Sequence, residues 1–424
     1  MELSTSARHS LFGWAVWPLL AICALLFGAY TLGMINHMGA DYEIIRHDVD
    51  LFRSDPGLLY RPDVLQSMVG FLYPPPSILL FLPFSLLPDG AGYLAFIAFL
   101  GVSMSAAIVL WLRMMRRAAV LPPVVSAADW LVLFAMGLTA RPMYDAVLQG
   151  QIDPFVLLLC VGYVACMRSR LPVLGGSILA LGCWIKIYPV LLLVDALRRA
   201  ERGRCLAGFF ATEVLIPVVA LPLVPVSLYV RYFTAALPAL SGQAITNIYN
   251  QSAAAFVGRM TVPLSESMTV FQSHPVALVT RAGILLALAA ALALMTIRAR
   301  RGTRNDLLIA ASVMALIAPV APLGWGHTYV YVVPLLYVTA TSALTSRAWG
   351  KLAACAVVLL ILTVPAHHHF PPLGFVPFIA VDLLYSHYLV ATVALLMVAW
   401  VWKTVPDKVK AGSRGVAAPA AQRG

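Results

Sequence analysis

Apolar residues in this chain come in about a dozen long, nearly uncharged runs, and those runs constrain the fold more than any motif does. The first covers Leu11 to Met34, and similar segments recur as far as 384–402 with mostly short polar turns between them. In hydrocarbon a backbone has no water to bond, so such runs cross a bilayer only as helices or as a closed barrel. Barrel strands are short and alternate in polarity, whereas these runs are continuous. The expected fold is therefore all-α and polytopic, with about 12 transmembrane helices in one integral membrane domain, residues 1–424. Apolar residues make up 61% of the chain, and no soluble stretch is large enough to fold alone. The first run is too long for a signal-peptide core and lacks a clear cleavage site, so it reads as a retained span.

A formal charge of +11 could point to nucleic acid, but the cations sit in short inter-helix turns. That is the positive-inside pattern, and it excludes nucleic acid as the natural partner. Clusters at Arg113/Arg116/Arg117, Arg168/Arg170, Arg198/Arg199/Arg202/Arg204, Arg298/Arg300/Arg301/Arg304 and Arg347/Lys351 mark the cytoplasmic side. The tail 403–424, with Lys403, Lys408, Lys410 and Arg414, joins them. With both termini inside, 21 Lys and Arg residues are cytoplasmic and 8 are not.

Two segments then need special treatment. Residues 74–87 are too short to cross and contain Pro83, so they read as an outer juxtamembrane helix. Residues 172–197 must go up and return, turning near Lys186–Pro189. Each arm reaches only ~20 Å into a ~30 Å core, so the turn must line a cavity. The expected spans are 12–34, 90–112, 127–140, 153–167, 172–186, 187–197, 206–226, 276–297, 306–320, 328–344, 352–365 and 384–402. Outside lie loop 35–89, a turn at 141–152, loop 227–275, a turn near 321–327 and loop 366–383. The six cysteines show no metal-ligand spacing and read as free thiols.

Six of the 18 acidic residues crowd into the first outer loop: Asp41, Glu43, Asp48, Asp50, Asp55 and Asp63. A carboxylate at the membrane boundary can take a proton from a hydroxyl, and Asp41 lies nearest that boundary. Most of the others are expected to be solvated or paired with Arg46, Arg53 and Arg61. Lys186 is the one lysine flanked by apolar residues on both sides (GCWIKIYPV), a costly placement that suits a cavity or an anionic partner. A lipid phosphate would match its point charge. His327, in the Gly/Pro-rich turn PLGWGH, could bond a phosphate oxygen or donate a proton. Gln151 and Asp153 are polar where a span begins, and Asp153 before Pro154 also reads as a helix N-cap. Asn250-Gln251-Ser252 with Arg259 forms a polar knot that also matches a glycosylation sequon. Tyrosines on this side, Tyr73 among them, suit either an interfacial belt or sugar stacking. The run His367–His369 has no second ligand set.

In this order the residues resemble polyprenyl-phosphate-sugar-dependent glycosyltransferases of the GT-C type, in particular glycosyltransferase family 87, which includes bacterial α-mannosyltransferases. The resemblance covers residues 12–335: the Asp41 loop ending in Tyr60 and Tyr73-Pro74-Pro75, Gly150-Gln151, the glycine-rich helix 175–186 with Lys186 and Pro189, Asn250-Gln251-Ser252 with Arg259, and Trp325-Gly326-His327. It implies a GT-C-like bundle in a bacterial inner membrane with its site facing the periplasm. It further implies Asp41 as general base, His327 and Lys186 on the donor phosphate, and Gln151, Asn250, Arg259, Tyr73 and Trp325 as substrate-binding residues. The partners implied are a polyprenyl-phosphate sugar donor, a lipid or glycan acceptor and membrane lipids, with no cofactor. Three positions depart from the family pattern: Glu43-Ile44-Ile45 replaces a tyrosine pair, Thr328 replaces a second histidine, and Asp153 stands where asparagine is usual. Two alternatives stay open at this level. One is a secondary transporter or lipid flippase using Lys186 as an intramembrane site. The other is a ligase with a lipid-diphosphate donor served by Arg231 and Arg259.

Overall fold

The computed structural model describes residues 13–34, 39–61, 70–121, 126–242, 245–260, 303–364 and 378–401, with helical positions 279, 282, 283, 286 and 290. His367–His369, Asp63, tail 403–424 and most of the span expected at 276–297 fall outside the described residues. Among the described residues every regular element is helical. The chain is a polytopic all-α membrane protein.

Helix α1 (Val16–Met34) is followed by α2 (Ala40–Ser54) and by α3 (Ile78–Ser85), which a 3-10 turn at Pro75–Ser77 leads into. Then come α4 (Asp89–Arg117), α5 (Ala127–Thr139), α6 (Arg141–Gln149), α7 (Asp153–Arg168) and α8 (Pro172–Ile185). A 3-10 segment, Tyr188–Leu192, leads into α9 (Leu193–Leu197) and then α10 (Arg202–Ala220). Beyond α11 (Val226–Arg231) lie α12 (Leu237–Gly242), α13 (Ala253–Arg259), α14 (Thr303–Ala315) and α15 (Ile317–Val320). A 3-10 segment, Gly326–Val332, runs directly into α16 (Val333–Thr345). Helices α17 (Trp349–Ile361), α18 (Phe378–Tyr385) and α19 (His387–Val401) complete the order.

Three described segments are long and apolar enough to cross a membrane: Asp89–Arg117, Arg202–Ala220 and Gly326–Thr345. Helices α5 and α6 reach that length and hydropathy only as a pair, bent by 63° at the break between them. The expected outer turn at 141–152 is therefore corrected, because most of it is helix α6. Its polar residues had the look of a loop, but Pro142 opens a helix in which Arg141 and Asp145 pair at 2.8 Å, one turn apart and buried. Other expected spans, such as 172–186 and 352–365, coincide with or overlap apolar helices of only 10–17 residues, Pro172–Ile185 and Trp349–Ile361.

The chain reverses at Lys186. Its start is fixed by Lys186 meeting Asp153 at the beginning of α7, and its return by Tyr163, late in α7, donating to Asp195 in α9 at 3.0 Å. Residues 186–195 thus run back along α7. At the turn, a Cβ built on Gly182 would lie 3.6 Å from the Pro189 ring. Helix α8 packs on α10 through two glycines: a Cβ on Gly176 would fall 1.9 Å from the Cys205 carbonyl, and one on Gly208 would fall 2.1 Å from the Val173 carbonyl. Only backbones lacking side chains there can come so close, the usual device of helix pairs in lipid.

Above this bundle lies α2, an amphipathic helix with Tyr42, Ile45, Val49 and Phe52 buried at helical spacing. Its Tyr42 hydroxyl donates to the Phe84 carbonyl at 3.2 Å, and Arg46 pairs with Asp89 at 2.6 Å. Beneath it, Phe71, Tyr73, Phe81, Phe84, Phe96 and Phe99 make ring contacts at 5.0–6.3 Å that fasten α3 to α4.

Candidate functional site

A cavity of about 400 Å³ opens between α2, the turn at Lys186, α12 and the segment around Trp325. Asp41, Tyr73, Gln151, Lys186, Trp325 and His327 all line it. These residues come from five separate stretches of chain, so the fold, not local sequence, assembles them.

Asp41 lies in the first turn of α2, where the free backbone N–H groups of a helix N-terminus favour a negative charge. That turn is held against the end of α6. Gly39 is left-handed (φ 78°) and donates to the Leu148 carbonyl at 2.9 Å. Gly150 is also left-handed (φ 80°), and a Cβ there would lie 2.7 Å from the Cβ of Tyr42. The missing side chain lets α2 and the Gly150–Gln151 turn share one wall.

Gln151 accepts a hydrogen bond from the Tyr73 hydroxyl at 3.1 Å. Burial, then the negative charges of Asp153 and Asp41, pushes the Tyr73 phenol well above its ordinary range, so it stays a donor. The Tyr73 backbone carbonyl accepts from the Tyr60 hydroxyl at 2.5 Å, which holds the main chain at Tyr73.

Also lining the cavity, Lys186 ends α8 in an extended conformation (φ −151°, ψ 122°), with its side chain on Asp153 of α7. Its Nζ lies 2.9 and 2.8 Å from the two carboxylate oxygens of Asp153. The Tyr188 ring centre is 5.8 Å from the same nitrogen. Asp153 is fully buried and also accepts from the Tyr331 hydroxyl at 3.0 Å. His327 Nε2 lies 3.8 Å from Asp153 Oδ2. The N-cap expectation for Asp153 is corrected: Ile152 holds that position, and no side chain caps α7. The carboxylate is spent instead on Lys186, which is 33 residues away in sequence. Tyr331 is the polar group of this region that no local motif announced.

Asn250 and Arg259 do not line the cavity. Both are fully buried and brace the turn that carries Trp325 and His327. Asn250 Nδ2 donates to the carbonyls of Pro322 (2.9 Å) and Ile245 (3.0 Å), while its Oδ1 accepts from Gly324 N–H at 2.9 Å. Those bonds consume the amide, and the sequon reading is withdrawn. Arg259 pairs with Asp382 at 2.5 Å and donates to the Asn250 carbonyl at 2.9 Å.

The other acids of the first loop differ from one another. Asp50 pairs with Arg53 at 3.4 Å, and Asp55 accepts from Gly57 N–H at 2.8 Å. Asp48 breaks the expectation of solvated or paired acids. It is buried, its Oδ2 has no hydrogen-bond partner among the described residues, and burial pushes its carboxyl up to about 7.

A model of glycosyltransferase family 87 matches residues 71–325, more than half of the chain. The chain belongs to glycosyltransferase family 87. No curated protein and no solved structure gives a significant match. A family 87 enzyme is a membrane glycosyltransferase, and it needs room for a sugar donor and an acceptor. The matched segment contains Tyr73, Gln151, Lys186 and Trp325, while Asp41 and His327 flank it. The transporter reading of Lys186 gives way to the transferase.

Proposed function

We propose that this transferase moves a hexose, mannose being the first candidate, from a polyprenyl-phosphate donor to a hydroxyl of a lipid or glycan acceptor. The reaction takes place at the periplasmic face of a bacterial inner membrane, with both chain termini cytoplasmic. The observation that supports this reading is the shared lining of one cavity: a carboxylate, Asp41, and the phosphate-binding candidates Lys186 and His327 all border it.

Asp41 takes the acceptor hydroxyl proton as the oxygen attacks the anomeric carbon. The bond from that carbon to the phosphate oxygen breaks on the opposite side, so configuration inverts. The phosphate leaves with the bonding pair and gains one negative charge, which Lys186 and His327 offset. A phosphate is a good leaving group, so the second, acidic carboxyl required by glycosidases has no task here. Gln151, Tyr73 and Trp325 supply hydrogen bonds and a ring face for the sugar. Ile187, Val190, Leu237, Leu240 and Leu323 form the apolar part of the lining and suit an isoprenoid chain.

The test is transfer of labelled hexose by the purified full chain from polyprenyl-monophosphate mannose, the glucose analogue and the corresponding diphosphate donors. Transfer from a monophosphate donor, with mannose preferred, supports the reading. Transfer from diphosphate donors alone overturns it in favour of a ligase.

A further inference from the structure

We propose that Asp153 is a positioning residue for the leaving-group end of this cavity, holding the Lys186 ammonium in place and setting the charge that an arriving phosphate meets. This rests on the transferase reading above.

Asp153 does not line the cavity, so it acts through the groups it touches. It is fully buried, and a buried carboxylate is strongly disfavoured unless it is paired and hydrogen-bonded. Two of its neighbours, Lys186 and His327, line the cavity. Oδ1 accepts from Lys186 Nζ at 2.9 Å and from the Tyr331 hydroxyl at 3.0 Å, and Oδ2 accepts from Lys186 at 2.8 Å. His327 Nε2 stands 3.8 Å from Oδ2. Lys186 is a flexible four-carbon stem, and its side chain keeps 13% of its surface exposed. The two contacts to Asp153 fix that stem and leave the ammonium presented to the cavity.

The charges follow from the same geometry. Asp153 and Lys186 cancel, so the empty cavity holds no uncompensated buried cation. A donor phosphodiester then meets an ammonium already shared with a carboxylate, and its ground-state attraction is moderate. When the phosphate gains its second negative charge, the aligned ammonium is where that charge develops. An interaction that strengthens as the bond breaks raises kcat, while one already complete in the ground state only lowers KM. Replacing Asp153 by asparagine therefore has a particular signature. The amide keeps the shape but releases Lys186, so donor binding tightens while turnover slows.

The experiment uses the purified full chain in detergent with Asp153→Asn, Lys186→Met and the double variant, each normalised to its folded, monodisperse fraction. For Asp153→Asn, kcat is expected to fall about 10- to 100-fold, the range for groups that orient others, with donor KM unchanged or lower. In the Lys186→Met background the same substitution is expected to be nearly silent, because its effect runs through the lysine. A rise in donor KM, or a full additional loss in the double variant, overturns the proposal.

A second readout needs no activity. Acylation of Lys186 by an amine-reactive probe, followed by peptide mass spectrometry, is expected to run several-fold faster in Asp153→Asn. Tyr331→Phe, which removes one donor to Asp153 and keeps every charge, is expected to give a smaller increase. An unchanged labelling rate in both variants contradicts the clamp. Absence of transfer from any monophosphate donor by the wild type would instead sink the transferase reading, and the labelling result would still decide the role of Asp153.

Discussion

A Cβ added to Gly150 would lie 2.7 Å from the Cβ of Tyr42, the residue that follows the candidate base Asp41. This close approach sets the distance between α2, which carries Asp41, and the turn at the end of α6, which carries Gln151. Gly150 also has a positive φ of 80° that side-chain-bearing residues adopt at a cost. Gly150→Ala is expected to lose about 1–3 kcal/mol of stability from strain and overlap together. A thermal melt of the purified protein checks this, and the parallel assay should show activity falling more than stability, because α2 must shift with Asp41 on it.

The buried carboxyl of Asp48 makes a prediction about pH. Its ordinary value is 3.8, and burial moves it to about 7 in the folded chain. The folded state therefore holds the proton more tightly than the unfolded state, and stability is lost as pH rises between those values. A displacement of that size corresponds to roughly 4 kcal/mol as an upper figure. Melting temperatures measured from pH 5 to pH 8.5 should fall for the wild type relative to Asp48→Asn, whose curve should be flatter. Parallel curves would show that Asp48 does not titrate in this range.

Arg259 separates bracing from binding. Arg259→Gln leaves Asp382 buried without its cation, and breaking such a pair costs roughly 3–5 kcal/mol. The variant should melt at a markedly lower temperature, while the enzyme that remains folded keeps a donor KM within about twofold of the wild type. A large rise in KM with normal stability would instead place Arg259 on the substrate.

At the far end of α7, Asp195 accepts from Tyr163, Arg198 and Arg199 at 2.8–3.0 Å, and Arg198 also reaches Asp306 at 2.6 Å. This knot pins the returning arm 186–197 and lies at the opposite end of α7 from the cavity. Asp195→Asn should lower the melting temperature and protein yield, and it should leave the kcat of the surviving protein unchanged.

The all-helical class was legible because the length and continuity of apolar runs are what lipid imposes on a backbone. The assembly of Asp41, Gln151, Lys186 and His327 was legible more indirectly, through cation placement that assigned their loops to one side. Helix α6 was hidden because a buried Arg141–Asp145 pair looks, in sequence, like a polar turn. The roles of Asn250 and Arg259 were hidden for a related reason: a polar residue bracing a turn and one facing a substrate have the same composition around them. Asp153 before Pro154 carries a local N-cap signal, and nothing local shows that its carboxylate is spent on Lys186. Asp48 did leave a trace. It stands three residues after Ile45 and four before Phe52, on the apolar face of α2, where a solvated acid does not belong.

The central claim is that Asp41 removes the acceptor proton, and single-turnover sugar transfer by Asp41→Asn tests it most directly. The assay would follow labelled hexose from a saturating polyprenyl-monophosphate donor to the acceptor, with donor binding measured separately on the same preparation. Transfer is expected to slow by about 10²–10⁴-fold, the usual worth of a positioned base, with donor affinity within a few-fold of the wild type. Transfer at near wild-type rate by a folded Asp41→Asn protein would contradict the account.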